Sequence, residues 1–152
     1  MILSVGCGDK NCEFGVDIRK TPYTTVQASG EYLPFSYSVF DRVEAVACLE
    51  HCTNPANVMQ EAKRVLKFKG SFYASVPIDS VMVLYQIKQL LLLRMKDVVR
   101  TNRDIRRGDH KWQFSIRGSE KLLNFVGFRN VRVYKKMIFP YIDGNIILEV
   151  CK

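Results

Sequence analysis

Several places in the 152-residue chain combine residue types that do chemistry with spacings that would let them meet. Val5-Gly6-Cys7-Gly8 closes a short apolar run, and glycines at 6 and 8, lacking a Cβ, allow a sharp turn whose backbone a ligand can approach. Asp17 closes the next apolar run, where a carboxylate can accept hydrogen bonds from paired sugar hydroxyls. Glu50 and His51, in Ala47-Cys48-Leu49-Glu50-His51-Cys52, set an acid beside an imidazole. Such a pair can take a proton or orient a nucleophile near neutral pH, or simply cap a helix. His110 is the one other histidine, and Trp112 beside it can stack on a flat ligand or anchor its own loop.

The elements that must carry these residues follow from the pattern. Apolar runs at 2–5, 14–18, 40–47 and 71–76 are short, rich in Val, Ile and Phe, and bounded by Gly, Pro or Asp. Strands buried on both faces read this way, which implies a parallel sheet. Asn54-Pro55 starts a crossover helix whose apolar face is Val58, Met59, Ala62, Val65 and Leu66, before Gly70. Residues 80–100 read as a second, greasy amphipathic helix. Gln86, Lys88, Gln89, Arg94, Lys96 and Asp97 interrupt it, so it is expected to be a packed, lid or homodimerisation helix and not a transmembrane segment. Ser115 or Ser119 opens a third helix that ends at Gly127, and residues 129–139 and 145–152 form an antiparallel hairpin.

This alternation predicts an α/β fold: a Rossmann-like, doubly wound, mostly parallel sheet closed by a C-terminal antiparallel hairpin, with its ligand at the carboxyl ends of the strands. The chain is expected to be one domain, 1–152, with a helical and basic insertion at about 79–112. Only six residues separate Gly8 from Gly15, so the first helix of such a fold is missing. A tight loop, or a shifted or irregular second strand, must replace it. Residues 19–25 likewise leave no room for a helix.

Composition narrows the setting. The formal charge of +8 favours acidic partners, and its positive residues concentrate between Arg94 and Arg117. Five cysteines without an export signal point to reduced thiols and a cytoplasmic protein. Cys7 with Cys12 and Cys48 with Cys52 lack the Cys-x-x-Cys spacing of a zinc site, so no metal is expected.

Four segments together resemble the class I S-adenosylmethionine-dependent methyltransferases, in particular their small type 11 group. They are Val-Gly-Cys-Gly at 5–8, Gly-Val-Asp-Ile at 15–18, the run from Tyr32 to Pro77 with its Leu-Pro-Phe, Phe-Asp, Leu-Glu-His and Arg-Val-Leu-Lys elements, and residues 109–133. The resemblance implies S-adenosylmethionine as cofactor, held by Gly6, Cys7, Gly8, Asp17, Ser29, Cys48 and Leu49. It implies Glu50, His51 and His110 on the acceptor side as the catalytic candidates. Ser4 stands where the family usually has an acid, and Ser29, with Glu31 nearby, where an acid often reads the adenine. The Asn/Asp-Pro-Pro-aromatic turn of adenine-amino methylases is absent, which leaves a small-molecule, sugar or lipid-linked acceptor. The alternatives are a non-catalytic binding or regulatory module of the same fold, and an RNA-directed protein using its basic segment.

Overall fold

The computed structural model describes residues 1–78, 98–100, 110–137 and 144–152. The greater part of the expected helix at 80–100, and with it the dimerisation face, lies outside these residues, as does 101–109 in the basic segment.

Seven strands form one sheet. Four run parallel in spatial sequence: β3 (Val26–Gln27), β2 (Phe14–Asp17), β1 (Ile2–Val5) and β4 (Phe40–Val46), followed by β5 (Leu66–Ile78), also parallel to β4. The hairpin strands β8 (Arg129–Met137) and β9 (Gly144–Cys151) complete it, with β9 antiparallel to β5 and β8 on the outer edge. A separate ribbon pairs β6 (Val98–Arg100) with β7 (Trp112–Phe114). Residues 98–100 are therefore a strand and not the end of the helix expected over 80–100; antiparallel pairing with β7 outweighs their helical periodicity.

The missing first helix is replaced by a tight loop. Residues 6–13 alone join β1 to β2, and the two strands pair in parallel from Leu3↔Phe14 to Val5↔Val16. An extended chain covers up to about 3.3–3.6 Å per residue, so this stretch can retrace a strand of about 13 Å without a helix. Close packing holds the loop. A Cβ on Gly15 would lie 2.2 Å from the carbonyl oxygen of Tyr23 and under 3 Å from the thiols of Cys7 and Cys12. Thr25 N–H donates to Gly15 O at 2.9 Å, and Thr21 Oγ1 donates to Gly8 O at 2.6 Å, which fastens the next connection onto the first.

Helix α1 (Pro55–Val65) starts where the Asn54 side chain accepts from Ala56 N–H at 3.0 Å. Val58, Met59, Ala62, Val65 and Leu66 are all fully buried against the sheet. The helix stops at Val65, and Leu66 is already the first residue of β5. Helix α2 (Ile116–Val126) is capped by Ser115, which accepts from Gly118 N–H at 3.0 Å, and ends at Gly127 with φ of 84°. Its Leu123 and Val126, with Phe114 and Phe128, join the core.

Arg64 ties the connection between β3 and β4 to α1. Its guanidinium donates to Leu33 O at 2.9 Å and Phe35 O at 2.6 Å, and to both carboxylate oxygens of Glu61. Glu61 in turn accepts from Leu33 N–H at 2.7 Å, and the Arg64 guanidinium beside it holds its carboxyl below the usual range. Arg64→Ala is expected to cost about 2–4 kcal/mol, since it removes charge-assisted hydrogen bonds and strands carbonyls they satisfied. Urea unfolding measures this; a loss below about 0.5 kcal/mol, the size of an ordinary surface change, would deny the hub its role.

Candidate active site

The candidate residues come together because three parallel strands end on one side of the sheet. β2 and β4 flank β1, so Gly6, Asp17 and Ala47 each follow or close a strand at the same carboxyl edge. Gly6 has φ of +66°, and a Cβ there would sit 2.6 Å from Cys48 Sγ and 2.9 Å from Cys48 Cβ. The loop after β1 thus rests directly on the loop after β4. Only glycine permits both the left-handed backbone and this approach.

The Gly-Cys-Gly turn spends its amides internally. Gly6 N–H and Cys7 N–H both donate to Val16 O, at 2.7 and 3.2 Å, and Gly8 N–H donates to Asp17 Oδ2 at 2.9 Å. These bonds secure β2 to β1 in place of the absent helix. The Cys7 side chain points inward toward Tyr23 and Thr24, and burial pushes its thiol up.

Asp17 keeps a ligand-binding capacity. Its side chain is 7% exposed, its Oδ1 accepts from Arg19 N–H at 2.8 Å, and Arg19 Nε lies 3.6 Å away. An ionised carboxylate has about four acceptor positions, so two backbone donors orient it and leave lone pairs over. An open edge beside Gly8, where an added Cβ would meet only Arg19 Nη2 at 3.6 Å, lies next to it. A Cβ-free turn with an oriented acid at the neighbouring strand end fits the ribose of S-adenosylmethionine. Ser29 instead closes its own turn, its Oγ accepting from Glu31 N–H at 3.2 Å, while Glu31 reaches Thr53 N–H at 2.7 Å. Leu49 is fully buried in the core.

At the end of β4 the backbone kinks. Ala47 takes φ of +48°, a conformation costing a non-glycine residue about 1–2 kcal/mol, and leads into a 3₁₀ turn over Leu49–His51. The Glu50 side chain is 2% exposed and that of His51 44%, with His51 Nε2 at 4.0 Å from Glu50 Oε1. His110 arrives from far along the chain, its ring 4.8 Å from that of His51 and edge-on to it. Two hydrogen bonds bring it there: Lys111 N–H to Glu50 O at 2.7 Å, and Trp112 Nε1 to Cys52 O at 2.9 Å. Trp112 therefore anchors the segment. The sequence had suggested this role for the indole, but neither these two bonds nor the Glu31–Thr53 tie has a signature in local spacing.

Cys48 and Cys52 stand 3.9 Å apart at sulfur. The hydrogen bond with Cys52, then burial, pushes the Cys48 thiol well up, whereas the bond from Cys48 pulls the Cys52 thiol down. Either sulfur can donate in this pair, and Cys52 Sγ also donates to Cys48 O at 3.2 Å.

The sheet, with β1 between two parallel neighbours and an antiparallel hairpin at its end, has the fold of the class I S-adenosylmethionine-dependent methyltransferases. Among solved structures, the chain is similar to an S-adenosylmethionine-dependent methyltransferase of Thermotoga maritima, described as a possible histamine N-methyltransferase (TM-score 0.70, 16% identity, 99% of this chain and 81% of that one). It is also similar to the 1,6-didemethyltoxoflavin-N1-methyltransferase of Burkholderia thailandensis, solved with S-adenosylhomocysteine bound (TM-score 0.69, 13% identity, 99% and 70%). A third neighbour, the [4+2]-cyclase SpnF, shares the fold under another activity (TM-score 0.66, 13% identity, 99% and 74%). The sequence model of the methyltransferase domain matches residues 10–74, from within the first loop into β5. No curated protein matches the chain in sequence. What the chain shares with these proteins is the fold and, over residues 10–74, the sequence pattern of the methyltransferase domain. Among the described residues no helix is long and apolar enough to cross a membrane.

The thiol pair provides a direct check on the packing at this edge. At neutral pH an alkylating reagent should label Cys52 well before Cys48, because the thiolate is the reactive form. Peptide mass spectrometry after timed quenching reads the order, and faster labelling of Cys48 would mean that the pair is arranged otherwise.

Proposed function

We propose that the chain transfers a methyl group from S-adenosylmethionine to an oxygen, carboxylate or amine nucleophile on a small-molecule, sugar or lipid-linked acceptor. The observation that carries this reading is the convergence, at one sheet edge, of a Cβ-free turn, an oriented strand-end carboxylate and an acid–imidazole cluster, of which Asp17, Glu50 and His51 lie in the segment matching the methyltransferase domain.

When bound, the cofactor supplies a methyl on a sulfonium whose leaving group is already good. The remaining work is positional, and holding two reactants in line can contribute about 7–11 kcal/mol. Asp17 would accept from the ribose hydroxyls with the lone pairs that Gly8 and Arg19 leave over. Gly6 and Cys48, packed on one another, would floor the methionine end. The protonated Cys48 thiol is a poor nucleophile, so it would not compete with the acceptor for the methyl. Glu50, His51 and His110 would meet the acceptor, orienting it and receiving its proton.

One observation favours a second reading, a non-catalytic module of this fold: the three amides of the first turn are already engaged. Calorimetry with S-adenosylmethionine decides between them. Saturable heat supports the enzyme; no heat at millimolar ligand with a folded sample overturns it. Asp17→Ala should weaken binding by about tenfold or more, the value of a hydrogen bond to a charged group. Unchanged affinity would remove Asp17 from the cofactor site.

A further inference from the structure

We propose that Glu50, His51 and His110 form a binding site for one divalent transition-metal ion of the zinc type. The three side chains each offer one ligand atom, and these atoms all lie within 4.8 Å of one another. They form the one group of three or more such ligands among the described residues. Two imidazoles and a carboxylate are the donor set of open, three-ligand zinc sites, where further positions stay free for an exogenous ligand.

The geometry needs only a small closure. Zinc bonds of about 2.0–2.2 Å set neighbouring tetrahedral ligand atoms about 3.4 Å apart. Glu50 Oε1 and His51 Nε2 are at 4.0 Å already. Glu50 is fixed by burial, with 2% of its side chain exposed, while His51, at 44%, has room to turn toward it. His110 is held close by its backbone neighbours, since the Lys111 amide and the Trp112 indole bond to the same turn that carries Glu50 and His51. A buried carboxylate also gains from a nearby positive charge, and two neutral imidazoles leave the charge of a divalent ion intact to meet it.

The cysteines do not join this group. Cys48 and Cys52 form a pair 3.9 Å apart, and neither belongs with the three ligands. The metal proposed therefore sits on nitrogen and oxygen, where the sequence pattern suggested no metal at all. Any part it plays in methyl transfer, by ligating an acceptor at its open positions, rests on the methyltransferase reading; the binding itself does not.

The test uses the full chain stripped of metal. Titration with Zn²⁺ should give one equivalent of saturable binding. Substitution with Co²⁺ should give visible ligand-field absorption without the charge-transfer band of a cobalt thiolate. The double variant H51Q/H110Q should lose the binding, and C48S/C52S should keep it. Absence of binding in the unaltered chain, binding kept by H51Q/H110Q, or binding lost in C48S/C52S would each overturn the proposal. Should H51Q/H110Q fail to fold by circular dichroism, the Co²⁺ spectrum of the unaltered chain decides, a thiolate band counting against the site. Titrating S-adenosylmethionine into the same metal-free sample keeps the two readings apart: cofactor heat without metal binding leaves the methyltransferase standing and removes only the ion.

Discussion

The parallel pairing of β1 with a neighbour on each side is the constraint from which the rest of the site follows. With β2, β3 and β4 all running in its direction, the chain must return from one end of the sheet to the other before each of them, and Gly6, Asp17 and Ala47 fall on one edge. The return to β4 comes from β3 through residues 28–39, again without a helix. The return to β2 has residues 6–13 only, and its amides go to Val16 and Asp17, where an ordinary member of the fold would begin a helix. A parallel sheet tolerates this because hydrogen bonding, and not helical packing, sets the register between the strands. The consequence is functional: the loop secures Asp17 in a fixed pose while giving up its own donors.

A second set of contacts keeps that edge from loosening. Arg64 and Glu61 clamp the Leu33–Phe35 stretch to α1, Glu31 reaches across to Thr53, and Trp112 and Lys111 bind the turn after β4. Most are side chain-to-backbone bonds over long sequence separations. They satisfy loop carbonyls and amides, several of them part-buried, so each has a structural reason before it has a functional one. The strain at Ala47 belongs here too. A left-handed residue at the end of β4 turns the chain sharply enough to bury Glu50 while leaving His51 exposed beside it.

The fold was legible where local physics dominates. Short apolar runs gave three of the buried strands almost to the residue, Asn54-Pro55 and Ser115 opened their helices, Gly127 closed the second, and alternation in the last segments marked the hairpin. The lapse at 98–100 has a plain cause. Val98 and Val99 suit a strand as well as a helix face, and their partner strand is remote from them in sequence. The site was legible as a set of residues but not as an arrangement. Glycines at 6 and 8 signal a turn, yet nothing in their spacing says that their amides are spent on β2.

The sequence by itself therefore determined the core strands β1, β2 and β4, the two capped helices, the closing hairpin, the shortness of the first connection and the residue types that could bind or react, because periodicity, caps and glycine freedom act within a few residues. Only the tertiary structure decided which of those residues meet. It brought His110 onto His51 across a long stretch of chain, drew Leu49 into the core, turned the Cys7 thiol toward Tyr23 and Thr24, and packed Gly6 against Cys48. These outcomes depend on how the strands stack side by side, and that is a property of the whole sheet.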